Sequence, residues 1–311
     1  MANYISWIGH GSSCGEPPGV FTGCTMHLFG VAADRNVVQA LADKFLNPVS
    51  TLNLTYHALL DNALITVLDV EKGRSATEAI GWLPGRECAL WVPLLETQLI
   101  PFKTRLVMWC PYIFISYAIG MITGREVWGW SKALADIEFP VPGSSAPNFS
   151  VTTVIFEKFD PNKEGGDAQL LTITGDSALS TTSDWADLDT AAIDMIAKLA
   201  GVPPADVTSP FVLVPNFPAI ALKQFRDSNT PNLACYQALI NSPVHITNFV
   251  GGGFHPGNFN LEIKTCDSHP IVEKFLGGIP GANSTVVPLN WAAWVKFDFN
   301  AIPGSVIAQT T

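Results

Sequence analysis

Between Arg105 and Arg125 the chain carries no charged residue, and this run, Leu106–Gly124, restricts the fold more than any other stretch. It is nearly as long as the roughly 20 residues an α-helix needs to cross a bilayer. Pro111 interrupts it, however. Leu106-Val107-Met108-Trp109 and Tyr112-Ile113-Phe114-Ile115 also carry the β-branched and aromatic bias of strands. The run therefore reads as two short, fully buried strand segments either side of a proline bend, followed by a short helix or turn over Tyr117–Met121. A membrane span is not expected. Charged residues make up only 14% of the chain and hydrophobic residues 48%, against about 25% charged in ordinary domains. That balance excludes disorder and a charged coiled coil. It leaves either a large interior or apolar surface that meets another subunit.

The rest of the pattern is strand-rich. Val20–Val31 reads as a strand, and Asp34 as the N-cap of a helix whose apolar stripe is Val37, Val38, Leu41 and Phe45, stopped at Asn47-Pro48. Leu52–Leu60 and Ala63–Val70 read as strands flanking a turn at Asp61-Asn62, Lys72–Glu78 as an exposed loop and Glu87–Leu95 as a strand. Phe149–Phe159 and Leu170–Gly175 flank a charged hairpin loop. Leu188–Leu199 is a helix stopped by Gly201. Leu213–Leu222, Cys235–Ile240, Val244–Val250 and Phe259–Cys266 are further strands, and Gly251-Gly252-Gly253 reads as a flexible link. Many strands with few helices and no regular alternation predict an α+β fold, mostly antiparallel, as a sheet or barrel. One domain over 1–311 is expected, with a loose N-terminal arm over 1–19.

Several functions are excluded early. The net charge of −10 argues against nucleic acid and anionic lipid as partners. No signal sequence is evident, and the six cysteines form no Cys-x-x-Cys pair, so reduced thiols in a cytoplasmic protein are expected. No phosphate-binding glycine loop is present and the histidines show no ligand spacing, so neither a metal nor another cofactor is expected.

The informative segment is Gly124-Arg125-Glu126-Val127-Trp128-Gly129-Trp130-Ser131-Lys132-Ala133. A single lysine closes the most apolar part of the chain, and burying its ammonium is costly. Its amine either snorkels to water along the tryptophans or stays in a dry pocket. In the pocket, desolvation favours the neutral amine, which can condense with a ketone or aldehyde. This segment resembles the active-site segment of the acetoacetate decarboxylase superfamily, in which Gly-Arg-Glu is followed by apolar residues and a Schiff-base lysine. Further likeness lies in Glu87 with Pro93 beyond it, in Phe21–Asp34, in Leu222–Asp227 and in Ala234–Leu239. The resemblance implies a cone-shaped, mostly antiparallel β-barrel with flanking helices, a central pocket and a homo-oligomeric state. It also implies catalytic roles for Lys132 as imine-forming amine and Glu87 as a polar group facing the substrate, with Arg125 and Glu126 holding the segment.

Three departures stand out. Ala133 replaces the family's second lysine, Ser131 replaces a proline, and Cys24 falls where the family has an arginine for its carboxylate substrate. With Trp109, Tyr112, Trp128 and Trp130 near Lys132 in sequence, a larger and more apolar carbonyl substrate is expected, or these rings simply pack the core. The expected function is a Schiff-base lyase working by decarboxylation or aldol and dehydration chemistry. The alternative is a non-covalent cyclase or isomerase, or an apolar-ligand carrier, on the same fold.

Overall fold

A computed structural model describes residues 3–6, 9, 14–50, 53–207, 216–278 and 284–310. The expected strand openings at Leu52 and Leu213, and His10, lie outside these residues. Strands run over Gly19–Ala32 (β1), Leu54–Ala58 (β2), Asn62–Ser75 (β3), Leu83–Leu99 (β4), Phe102–Ile115 (β5) and Lys132–Leu134 (β6). Asp136–Glu138 (β7), Asn148–Ile155 (β8), Gly166–Gly175 (β9), Asn216–Phe217 (β10), Ala219–Arg226 (β11) and Ala234–Asn241 (β12) follow. Val244–Phe254 (β13), Phe259–Lys264 (β14), Ser284–Pro288 (β15), Trp291–Ala301 (β16) and Ser305–Gln309 (β17) complete the set. The helices are Arg35–Phe45 (α1), Ala118–Thr123 (α2), Leu188–Ala200 (α3) and Ile271–Lys274 (α4), with a π-helical turn over Gly124–Trp128 and a short turn over Pro204–Asp206.

The α+β expectation holds, but the barrel does not close among the described residues. The large sheet follows the open path β10-β13-β16-β1-β3-β4-β5-β11-β12-β17, with β2 added on β4 and β6 on β5. A second sheet follows β15-β14-β9-β8-β7. Pairing is antiparallel except where β5 meets β11 and β6, so the sheet is mixed.

Alternation gives the large sheet two faces. Phe29, Val31, Ile65, Val67, Cys88 and Leu90 pack against Phe149, Val151, Leu171, Ile173 and Leu261 of the second sheet to form the main core. The residues between them, Met26, Leu28, Leu64, Leu68 and Trp91, line a cavity on the other face. Helix α3 borders that cavity through Leu188, Ala192, Met195, Ile196 and Leu199.

The charge-free run is a single strand, β5, and not two segments. Opposite Trp91 the β4–β5 register slips, so Cys110 and Pro111 together face one residue. This is a bulge, and proline sits there without removing a ladder hydrogen bond. Arg105 closes the start of the run by an ion pair with Glu96 across the same ladder.

Two other expectations change. Residues Lys72–Ser75 continue β3, with Lys72 over the Trp82 ring, so the loop begins later. Gly251, Gly252 and Gly253 are no link but part of β13, paired with β16. A side chain at Gly252 would stand 2.5 Å from the Trp294 carbonyl and 2.6 Å from the Trp185 ring, which is why glycine is required there. Asp34 caps α1 by accepting from the Asn36 and Val37 amides, and Gly201 ends α3.

Two buried histidines join β1 to the start of the loop after β13. The Ser180 amide donates to His255 Nδ1, so His255 Nε2 carries the hydrogen and donates 3.0 Å to His27 Nδ1. Burial, reinforced for His27 by His255, lowers them to about 3 for His27 and about 4 for His255. Because the folded values lie below the unfolded value of roughly 6.5, the unfolded chain takes up protons first as pH falls. Stability from this pair is therefore full above about pH 6.5 and lost toward pH 4 and below. Urea unfolding should show a loss of about 2 kcal/mol per ring between pH 7 and 5. The combined His27→Asn and His255→Gln variant should show a flatter profile over that interval.

Candidate active site

The Gly124-Arg125-Glu126-Val127-Trp128 segment forms the π-helical turn, a geometry frequent at functional sites. It ends at Gly129, after which the chain turns through Trp130 and Ser131 into β6. Lys132 is the first residue of β6 and pairs in parallel with Ile113 of β5. The bulge at Cys110-Pro111 sets its surroundings. Before it, Leu106 and Met108 face the cavity; after it, Ile113 and Ile115 do. Lys132 shares the face of Ile113 and so enters the cavity.

The lysine stem runs against Gly124. A side-chain carbon there would lie 2.6 Å from Lys132 Cδ and 2.7 Å from Cε. Gly124 has an ordinary helical φ of −59°, so it is the stem of Lys132 that excludes a larger residue. From β4, Glu87 reaches the same point: Lys132 Nζ donates to Glu87 Oε2 at 2.6 Å. The two side chains are only 13% and 20% exposed. Each charge is tolerable in this setting because the other neutralises it.

The cavity measures about 590 Å³, within the usual range of small-molecule sites. Its walls are almost wholly apolar, including Trp91, Trp128, Trp130, Phe297 and Phe299. Trp128 is fixed by donating to the Ile302 carbonyl at 2.8 Å, and Trp130 stands edge-on to Trp91 with centroids 5.6 Å apart. Tyr117 also lines it, although nothing in its own local sequence singled it out. The Tyr117 ring fits between Gly85 and Gly120, where side chains would clash with it. Burial, and then the charge of Glu87, pushes its phenol up to about 12, so it is a protonated donor. Gly85, Glu87 and Trp91 recur on one face of β4, and that alternation is the signal that marks Trp91.

Other residues expected at the site lie elsewhere. Trp109 is buried in the main core against Phe45, and Tyr112 packs against Phe275. Both fall on the core face of β5, on either side of the bulge. Cys24 packs with Leu68, Val70, Trp185 and Phe297 and does not line the cavity. Burial and then Asp298, Asp69 and Glu71 push its thiol up to about 12, so it stays neutral. Arg125 is exposed and its Nη1 donates to the Lys132 carbonyl, steadying the backbone of the segment. Glu126 is half-buried and its charge acts on Lys223, Cys14 and Tyr4, outside the cavity lining. Ala133 packs against the main core, and Ser131 Oγ donates to the Pro111 carbonyl at 3.4 Å.

Among the described residues no histidine lines the cavity, no group of three or more His, Cys, Asp or Glu could hold a metal ion, and no helix is long and apolar enough to cross a membrane. The N-terminal arm is tied near the cavity where Gly15 N donates to Thr123 Oγ1 and Ser75 Oγ to the Glu16 carbonyl.

The sequence matches no family model and no curated protein. Solved structures do match. Acetoacetate decarboxylase from Legionella pneumophila aligns over 99% of this chain and 98% of its own, with a TM-score of 0.62 at 14% identity. The enduracididine biosynthesis enzyme MppR, complexed with the condensation product of pyruvate and imidazole 4-carboxaldehyde, covers 99% and 98% with a TM-score of 0.57 at 11% identity. An acetoacetate decarboxylase-like enzyme from Sphingomonas wittichii RW1 covers 99% and 100% with a TM-score of 0.55 at 10% identity. The chain therefore has the fold of acetoacetate decarboxylase and of the other two matched enzymes, with 99% of its length aligned in each case.

A methyl group at position 124 tests the geometry. The Gly124→Ala clash falls on the flexible lysine stem, so the amine should move while the fold survives at a cost of about 1 kcal/mol. Urea unfolding checks the second half of that statement. Labelling of Lys132 by an amine-reactive reagent, followed by peptide mass spectrometry, should show a changed rate and checks the first.

Proposed function

We propose that this protein is a lyase acting on a carbonyl compound, with Lys132 forming a Schiff base and Glu87 handling its protons. The observation that carries this reading is the 2.6 Å Lys132–Glu87 contact inside an apolar cavity, on a fold shared with enzymes of carbonyl chemistry. The proton of the Lys132 ammonium passes to the Glu87 carboxylate, leaving a neutral amine beside a carboxylic acid. The amine attacks the carbonyl carbon and the carbinolamine forms, its oxygen gaining the proton the nitrogen loses. The Glu87 acid then protonates the departing hydroxyl, so water leaves and an iminium ion stands beside the Glu87 carboxylate. The pair thus begins as ammonium–carboxylate and ends as iminium–carboxylate, and the cavity keeps the same net charge. The iminium accepts electrons from a bond breaking at the neighbouring carbon. Trp128 and Trp130 supply apolar contact surface, and the Tyr117 phenol supplies a donor near Glu87.

The amine's engagement with Glu87 also suits a second reading, in which the pair is structural and the cavity binds an apolar ligand or steers an isomerisation without covalent chemistry. Borohydride reduction in the presence of an aliphatic ketone separates the two. The lyase reading expects a mass increment on the peptide containing Lys132 and none in Lys132→Arg. A fully active Lys132→Ala variant would leave only the second reading. For Glu87→Gln, adduct formation should slow by about 10²-fold or more, the usual scale of a lost general acid–base group.

A further inference from the structure

We infer that the substrate is an uncharged, largely apolar ketone or aldehyde, so that the bond broken next to the iminium is C–H and not C–carboxylate; this rests on the Schiff-base reading above. The argument is one of charge. Among the described residues the cavity holds one cation and one anion in its interior, Lys132 and Glu87, and they neutralise each other. The other basic residues bordering it are committed or outside. Arg86 binds Asp69 and the Ile137 carbonyl and lies over the Phe139 ring, while Arg74 is exposed with its Nη1 on the Ser75 carbonyl. Glu16, also exposed at the border, offsets the exposed Arg74 there. The position expected to carry a carboxylate-binding cation is Cys24, a buried neutral thiol away from the cavity surface.

A substrate carboxylate entering this space would give up its hydration and meet the Glu87 carboxylate. It would leave a net negative charge among tryptophans and phenylalanines, whereas a neutral carbonyl keeps the cavity neutral throughout. From the iminium, Glu87 takes a proton from the α-carbon while that C–H pair forms the enamine double bond and the iminium electrons return to nitrogen. The result is a neutral enamine beside a neutral acid. The enamine carbon then attacks a second carbonyl, whose oxygen takes the Glu87 proton as the iminium re-forms, or the enamine expels a β-hydroxyl group as water with that same proton to leave a conjugated iminium; in either case water then adds to the iminium carbon and frees Lys132. No oxidant or reductant enters. The cavity volume of about 590 Å³ suits a substrate much larger than a four-carbon acid.

The test uses three matched ligands: benzylacetone, its ring para-carboxylate, and the β-keto acid that would decarboxylate to benzylacetone. Binding is read by quenching of the cavity tryptophans and covalent capture by borohydride at Lys132. Benzylacetone should bind at least about ten-fold more tightly than either carboxylate. In Glu87→Gln, the unpaired Lys132 ammonium should raise carboxylate affinity by about ten-fold or more. Equal or tighter binding of the carboxylates by the unaltered protein would overturn the inference. So would Lys132-dependent release of carbon dioxide from the β-keto acid, or no saturable binding of benzylacetone. Selective binding of benzylacetone without capture would support the neutral ligand class while removing the Schiff-base step. The comparison on the unaltered protein decides the matter if Glu87→Gln does not fold.

Discussion

The contact between one ammonium and one carboxylate on an otherwise apolar cavity wall organises everything around it. Either Lys132 or Glu87 alone among tryptophans and phenylalanines would be costly in its charged form, and each offsets that cost for the other. Together they make a polar point on an apolar surface. The fold supplies that point by modest means: a bulge that turns Ile113 and Lys132 inward, a π-helical turn that brings Lys132 back across β5, and a glycine that leaves room for its stem.

The same sheet serves two tasks through alternation whose phase shifts at the Cys110-Pro111 bulge. Alternate positions along each strand divide between a core shared with the second sheet and the walls of the cavity. This explains the split among the tryptophans. Trp91 alternates with Glu87 and faces inward, whereas Trp109 precedes the bulge on the other face and packs against α1. Proximity in sequence grouped Trp109, Tyr112, Trp128 and Trp130; the pleat separated them.

Much of the local structure was readable from residue patterns. Asp34 and Gly201 bound their helices, and the strand from Val20 and the helix from Leu188 stand as periodicity implied. What was not readable depended on contacts between distant segments. The three glycines at 251–253 look like a hinge until Trp185 and the Thr182 carbonyl are laid across them. Pro111 looks like a break until the opposite strand absorbs it as a bulge. Tyr117 gains meaning only from Gly85 and Gly120 closing on its ring. The pairing path, too, follows from long-range register, which no local pattern reports.

The fold is shared with enzymes that differ in the carbonyl compounds named with them, so the chemistry rests on the site. Oxygen exchange measures that chemistry without requiring the natural substrate. A neutral ketone labelled with heavy oxygen at its carbonyl should lose the label to ordinary water when the protein is present, because each cycle of imine formation and hydrolysis replaces that oxygen. Exchange should be abolished in Lys132→Arg. A ketone that saturates the cavity yet keeps its label would contradict the account.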